Sequence, residues 1–293
     1  LCGVYCPHAA IRPFLLTEEE ATKALSENPA FVTIQAKGAG DIQTQKFRIQ
    51  VSPYDCAGCT VCTTACPVKA LSMRPFEEVF ETESRNWNVA INIPPKLQFA
   101  DRNTIRTVQF IPPLMEFSGA CEGCNETALV KLITQLFGHR MVIANATGCS
   151  SIWGGTWGTN PYTTNTEGRG PAWANSLFED NAEYGFGMFK ALQQRRDLLV
   201  QAVNNVVNSP DLCDELKAKL NQWLVDREDG DKCDVLYNEI RDILGRDCCK
   251  KLSILDPVRE NADLFIKVTT WICGGDGWAY DIGYNGIDHV IAS

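Results

Sequence analysis

The 293-residue sequence contains no apolar run approaching the ~18 residues a membrane-spanning helix needs. It also lacks an excess of basic charge. Its 27 Lys and Arg stand against 36 Asp and Glu, a net charge of -9, which argues against nucleic acid or an anionic membrane surface as partner. Histidine is scarce: His8, His139 and His289 stand isolated and read as packing or surface residues rather than ligands. The sequence does not open on methionine, so no targeting signal is read from its start. The remaining composition, 45% hydrophobic and 22% charged, is that of an ordinary globular protein with length enough for two domains.

What the sequence has is cysteine at diagnostic spacing. Cys56-Ala-Gly-Cys59-Thr-Val-Cys62-Thr-Thr-Ala-Cys66-Pro67 is a C-x2-C-x2-C-x3-C-P run. Upstream, Cys2-Gly-Val-Tyr-Cys6-Pro7 has the form of the second half of another such run. This is the pattern of a bacterial-type two-cluster ferredoxin, in which the fourth cysteine of each run ligates the other cluster. Cys56, Cys59, Cys62 and Cys6 are therefore expected around one [4Fe–4S] cluster, and Cys2 and Cys66 on a second whose other ligands precede residue 1. A zinc site would instead pair a C-x2-C with a distant C-x2-C or a His pair. Disulfides fit poorly, since nothing here resembles a small secreted scaffold. A basic electron carrier is compatible with the acidic balance.

Residues 1–85 are expected to form the ferredoxin-like domain. Within it a helix should open at Thr17-Glu-Glu-Glu20, a capping-box pattern, and Lys46-Phe-Arg-Ile-Gln-Val51 alternates as a half-buried strand does. The Pro- and Asn-rich residues 86–117 read as a connector, and residues 118–293 as a second, α/β domain. There Ala128, Leu129, Leu132, Ile133, Leu136 and Phe137 keep helical spacing, with Gly138 as a C′ stop. Arg140-Met-Val-Ile-Ala-Asn145 reads as a buried strand, and a Gly- and Trp-rich loop then extends to about residue 187. Amphipathic helices are expected at about 188–207, 211–226 and 233–244, within a helical insert at about 188–262. Val268–Cys273 is a β-branched run, and the last residues, from Asp288, look like the middle of a helix.

Two further features carry chemistry. Cys121-Glu-Gly-Cys124, with Cys149 placed 25 positions beyond Cys124, can hold three corners of another cluster, a structural zinc, or nothing. Gly274-Gly275-Asp276-Gly277 follows the strand at 268–273. Glycines at a strand end let backbone approach phosphate, and Asp276 offers an oxygen ligand to Mg2+. Many turns also contain Gly-Asp-Gly.

Phe117-Ser-Gly-Ala-Cys-Glu-Gly-Cys-Asn-Glu126, Ala144-Asn-Ala-Thr-Gly-Cys-Ser-Ser151, Gly168-Arg-Gly-Pro-Ala-Trp-Ala-Asn-Ser-Leu-Phe-Glu-Asp-Asn-Ala-Glu183 and Gly274-Gly-Asp-Gly-Trp-Ala-Tyr-Asp-Ile-Gly283 resemble the pyruvate:ferredoxin (flavodoxin) oxidoreductases. The resemblance covers essentially the whole sequence, as an internal stretch cut at both ends. It implies α/β with α+β: a ferredoxin-like two-cluster domain, then part of a thiamine diphosphate-binding α/β domain. It implies an enzyme that oxidises pyruvate, with coenzyme A, to acetyl-CoA and CO2, passing electrons to ferredoxin or flavodoxin. Three [4Fe–4S] clusters, thiamine diphosphate and Mg2+ are its implied cofactors, and a homodimer its implied assembly.

By the same resemblance Cys121, Cys124 and Cys149 ligate the cluster nearest thiamine. Glu126 and Thr147 take catalytic positions beside it, and Gly275, Asp276 and Gly277 hold the cofactor, with Asp276 on Mg2+. Asn125 stands where many members have glycine. Cys213, Cys233, Cys248, Cys249 and Cys273 match no ligand position and read as structural or free thiols. Glu179, Asp180 and Glu183 read as a solvated acidic face or as shaping the thiamine loop. A relative acting on another 2-oxo acid, one fused to a reductase passing electrons to NADP, and a pure electron-transfer module are the alternatives. The expected setting is an anaerobic cytoplasm or a hydrogenosome.

Overall fold

A computed structural model describes residues 2–38, 40–156 and 158–293. The protein is mixed α/β, with one antiparallel and one parallel sheet, and divides into two compact units.

The first unit comprises Leu1–His139 and Ser151–Pro171. Its elements are α1 (Cys2–Tyr5), β1 (Ile11–Leu16), α2 (Glu18–Glu27), β2 (Ile34–Gln35), β3 (Lys46–Val51), α3 (Val61–Ala65), α4 (Phe76–Ala90), α5 (Ile105–Val108) and α6 (Asn125–Phe137). The sheet order is β1-β3-β2. Ile11 faces Val51 and Leu16 faces Lys46 across an antiparallel ladder, and β2 joins through Ile34 and Phe47.

The expected capping box is present. Thr17 accepts from the Glu20 backbone N–H at 3.2 Å, and Glu20 accepts from the Thr17 backbone N–H at 2.8 Å. These bonds satisfy donors that every helix start leaves orphaned. Ala21 and Ala24 turn inward against Leu16, Phe31 and Ala90 to form the unit's small apolar core.

Residues 86–90 are not loop but the last turn of α4, which buries Trp87. Phe14 packs edge-on to Trp87. The Arg12 guanidinium lies over the rings of Trp87 and Phe117 and pairs with Glu116.

Gly138 ends α6 in right-handed geometry, not the left-handed form expected of a C′ glycine. Its reason is space: a Cβ there would stand 3.1 Å from Leu114 Cδ1 and 3.2 Å from Thr134 Cβ.

The second unit comprises Arg140–Ser150 and Ala172–Ser293. It holds β4 (Met141–Ala146), the start of α7 (Cys149–Gly155), β5 (Ala172–Ser176), α8 (Asn181–Val206), α9 (Asp214–Asp226), α10 (Gly230–Leu244), α11 (Asp247–Lys250), α12 (Asp256–Glu260), β6 (Thr269–Cys273) and α13 (Ile287–Ala292). The parallel sheet has the order β5-β4-β6. Val142 registers with Ala172 and Ala146 with Ser176 on one side of β4. Met141 registers with Thr269 and Asn145 with Cys273 on the other.

The Gly- and Trp-rich stretch thus contains a strand, and α8 begins at Asn181 rather than 188. Gly185 lets α8 lie directly on the sheet: a Cβ there would come within 2.5 Å of Ile272 and 3.1 Å of Ala144. Buried Asn181 donates to the carbonyls of Cys273 at 3.0 Å and Ala144 at 3.4 Å, tying the helix start to two strands.

The helices α8 to α12 build a large apolar core around Leu216, Leu220, Trp223, Leu236 and Ile240. Fully buried Trp223 donates its indole N–H to the Phe265 carbonyl at 2.9 Å, so the ring is buried without an unpaired donor. Among the described residues, no helix is long and apolar enough to cross a membrane.

Candidate functional site

Two glycines show how the cysteine loops turn. Gly58, between Cys56 and Cys59, has φ +69°, and Gly123, between Cys121 and Cys124, has φ +76°. Left-handed backbone is open to glycine without the Cβ penalty, so each C-x-G-C segment reverses tightly between its two thiols. After the first segment the chain enters α3, which carries Cys62.

Cys62 feels three other cysteines of the first unit. Burial, then the thiols of Cys6 and Cys56, push the Cys62 thiol up; Cys59 adds to this, and the Thr63 backbone N–H acts the other way. Three like-charging sulphurs around one sulphur are costly unless a multivalent cation binds them. The four are Cys6, Cys56, Cys59 and Cys62, the combination that the two-run pattern demands.

Cys66 sits differently. Its sulphur accepts from the Ala70 backbone N–H at 3.3 Å. The backbone N–H of Ala70 pulls the thiol's pKa down, against the opposing effect of burial, and those of Val68, Leu71 and Lys69 add to the pull. That is a nest for an anionic sulphur. Cys2 and Cys6 bracket α1, and the Lys131 ammonium from α6 binds that helix's end. Lys131 Nζ donates to the carbonyls of Val4 at 2.9 Å, Cys6 at 2.7 Å and Gly3. Burial lowers the Lys131 pKa to about 8, with the Cys6 and Cys2 sulphurs pulling it back up and Arg12 adding to the lowering.

The Cys121–Cys124 loop belongs to the same unit and abuts the ferredoxin-type run. A Cβ on Gly123 would stand 3.4 Å from Val61 Cγ2 and 3.8 Å from Cys59 Cβ. Cys124 precedes α6, its carbonyl accepts the Thr127 hydroxyl at 3.1 Å, and Glu126 lies in the helix's first turn. Burial pushes the Glu126 carboxyl up, and the neighbouring Trp153 indole opposes this, although its N–H makes no hydrogen bond of ordinary geometry.

The other candidates lie in the second unit, at the carboxyl ends of the parallel strands. Because β4, β5 and β6 run the same way, the segments after each emerge at one end of the sheet, where open α/β sheets bind ligands. Thr147 follows β4 and Cys149 opens α7; both are exposed. The Thr147 hydroxyl donates to the Ser176 carbonyl at 2.8 Å and accepts from Asn175 at 3.2 Å. Ser176 in turn donates to Asp180, and Asn285 donates to the Glu179 carbonyl. Asp180 and Glu179 therefore brace the loop before α8.

After β6 the four residues of the Gly-Gly-Asp-Gly segment separate in role. Gly274 is required by packing, since a Cβ would be 2.6 Å from the Trp278 ring and 2.7 Å from Ala146. Gly275 faces open space, with nothing within 4 Å of a Cβ, and so does Gly148. Asp276 is exposed. Its carboxylate has no protein partner among the described residues, leaving hard oxygen ligands available for a cation. The chain then makes a five-residue π turn, Gly277–Asp281.

Sequence reasoning missed one grouping. Cys213, Cys248 and Cys249, expected as unrelated thiols, have sulphurs within 4.8 Å of one another. Burial, then the Cys248 and Cys213 thiols, push the Cys249 thiol up to about 12. Cys233 does behave as a structural thiol: it is buried, and its sulphur donates to the Arg227 carbonyl at 3.3 Å.

The chain is similar to several known proteins. The chain is 48% identical to pyruvate:ferredoxin oxidoreductase of Moorella thermoacetica, across all of this chain and 25% of that protein. This chain is homologous to one stretch of the pyruvate:ferredoxin/flavodoxin oxidoreductases. It is likewise 47% identical to a pyruvate-flavodoxin oxidoreductase of Enterobacter agglomerans, again over all of this chain and 25% of that protein. Against a mitochondrial pyruvate dehydrogenase [NADP(+)] of Euglena gracilis it is 50% identical, over all of this chain and 16% of that protein. The chain thus spans a quarter or less of these relatives. No family profile matches it.

Proposed function

We propose that the protein containing this chain oxidises pyruvate, with coenzyme A, to acetyl-CoA and CO2 and passes the electrons to ferredoxin or flavodoxin. The observation that carries this reading is the ferredoxin-type spacing of Cys56, Cys59, Cys62 and Cys66, with Cys6, Cys56 and Cys59 all acting on the Cys62 thiol, on a chain whose parallel sheet presents Gly275 and Asp276 at its carboxyl end. Identity of 47–48% to two oxidoreductases of this kind supports it.

Thiamine diphosphate, when bound, supplies the chemistry at the 2-oxo carbon, and iron–sulfur clusters accept electrons singly. The chain's own residues bind and orient. Gly148 and Gly275 leave room for close approach, and Asp276 offers oxygens to Mg2+, which prefers such ligands and bridges readily to a diphosphate. Gly277 completes that turn against Phe178. Thr147, held by Asn175 and Ser176, presents a fixed hydroxyl. Glu126 is proposed as the carboxyl beside the reacting centre, its burial keeping it closer to the neutral form. Cys121, Cys124 and Cys149 are proposed as ligands of the cluster nearest thiamine. Cys56, Cys59, Cys62 and Cys6 would hold one ferredoxin-type cluster, and Cys2 and Cys66 part of the other. A Cβ on Gly123 would meet Val61 and Cys59, so the two cysteine loops lie side by side, and the clusters they would hold would be neighbours.

The Euglena relative's name adds a second reading, in which electrons leave to NADP through a further reductase domain. The test is anaerobic reduction of a viologen dye by the full-length protein. Rapid reduction with pyruvate that depends on coenzyme A, and none with 2-oxoglutarate, supports the proposal. No reduction by either acid, in protein with full iron content, overturns it in favour of a carrier module.

A further inference from the structure

Cys213, Cys248 and Cys249 lie far in sequence from the ferredoxin-type runs, within the helical part of the second unit. Cys213 is the residue before α9, and it makes no side-chain capping bond, so its sulphur is not committed to the helix backbone. Cys248 and Cys249 are adjacent on α11. Their sulphurs approach to 3.5 Å, and those of Cys213 and Cys249 to 3.8 Å. Metal–sulphur bonds of ~2.3 Å directed to the corners of a tetrahedron set sulphurs ~3.8 Å apart. Two of the three edges therefore come close to those of a mononuclear thiolate site, and the third, between Cys213 and Cys248, is within 4.8 Å.

The surroundings fit as well. Cys249 is fully buried in the apolar core, and Cys213 packs against it. Cys248 is exposed, which leaves an entry path and a fourth position open to water. Arg246 immediately precedes α11. It also holds Glu215 at 2.6 Å, so a nearby carboxylate is neutralised rather than repelling the site.

We propose that Cys213, Cys248 and Cys249 bind a single thiophilic d10 metal ion, Zn2+ or Cu+, which ties the start of α9 to α11. Three sulphurs with no nearby histidine select a soft or borderline ion over Mg2+ or Ca2+. The ion is held independently of substrate, so the inference does not depend on which 2-oxo acid the protein uses.

The experiment uses the full-length, cluster-loaded protein, kept reduced and anaerobic. It is incubated separately with Zn2+ and with Cu+, freed of loose ions, and its iron, zinc and copper are counted. Wild type should take up one Zn2+ or one Cu+ per chain above background. Cys248→Ser, altered at the exposed ligand, should bind that ion at least ~100-fold more weakly, since losing a ligand costs more than losing an outer partner, with iron content unchanged. X-ray absorption at the bound metal's edge, on wild type alone, should show sulphur neighbours at ~2.3 Å for zinc. Absence of uptake by wild type, equal uptake by Cys248→Ser, or a shell of only oxygen and nitrogen would overturn the proposal.

Discussion

Lys131 donates from its ammonium to the Cys6 carbonyl at 2.7 Å, so a buried cation on α6 fixes the backbone of a proposed cluster ligand 125 positions earlier in the sequence. The same nitrogen binds the Val4 and Gly3 carbonyls and completes the end of α1. Replacing it with methionine keeps the length of the side chain but leaves carbonyls without donors. Lys131→Met should destabilise the first unit by about 2 kcal/mol, the scale of an unmade buried hydrogen bond to a charged group. It should also speed iron release to a chelator. Release kinetics identical to wild type would contradict the role.

Glu20 is lowered below the ordinary carboxylate range. Burial pushes it up, but the Lys96 ammonium at 2.6 Å and the Thr17 backbone N–H outweigh this. A depressed carboxyl stabilises the fold above its unfolded-state pKa, and that stability is lost as pH falls through the folded value. Lys96→Met should therefore cost about 1 kcal/mol at pH 7. The gap from wild type should close below about pH 4, read by urea unfolding at both pH values. A gap that stays constant with pH would mean that Lys96 contributes packing alone.

Gly185 lies where α8 crosses the sheet. Alanine would raise helix propensity by about 1 kcal/mol, yet its Cβ would meet Ile272 at 2.5 Å. Overpacking of that kind costs about 1–3 kcal/mol. Gly185→Ala should lower the unfolding midpoint, with Gly187→Ala, whose Cβ meets nothing within 4 Å, as the comparison that does not.

Several parts of the fold were legible because one local rule dominated. The capping box at Thr17 and the alternation of Lys46–Val51 needed no tertiary information. The stripe Leu212, Leu216, Leu220, Trp223 faces the core as its period requires. β5 was not legible: Ala172–Ser176 is five residues long with no β-branched residue, and becomes a strand because β4 offers it a partner. The early start of α8 was hidden by Gly185 and Gly187, poor helix formers whose presence has a packing reason at the first. Gly138 looked like a left-handed stop and is instead a place for Leu114. At the site, the spacing of Cys56, Cys59, Cys62 and Cys66 was readable from the sequence alone. The approach of Cys213 to Cys249 was not, since 36 positions and the turns between α9 and α11 separate them. The adjacent pair Cys248 and Cys249 was the available signal.

The central claim is that pyruvate chemistry and the cysteine-bound clusters belong to one electron path. The direct measurement is electron paramagnetic resonance of the full-length protein, frozen after anaerobic mixing with pyruvate and coenzyme A and without external acceptor. Signals of reduced [4Fe–4S] clusters should appear in wild type and be lost in Asp276→Asn at unchanged iron content. Full iron and thiamine occupancy with no pyruvate-dependent signal would contradict the account.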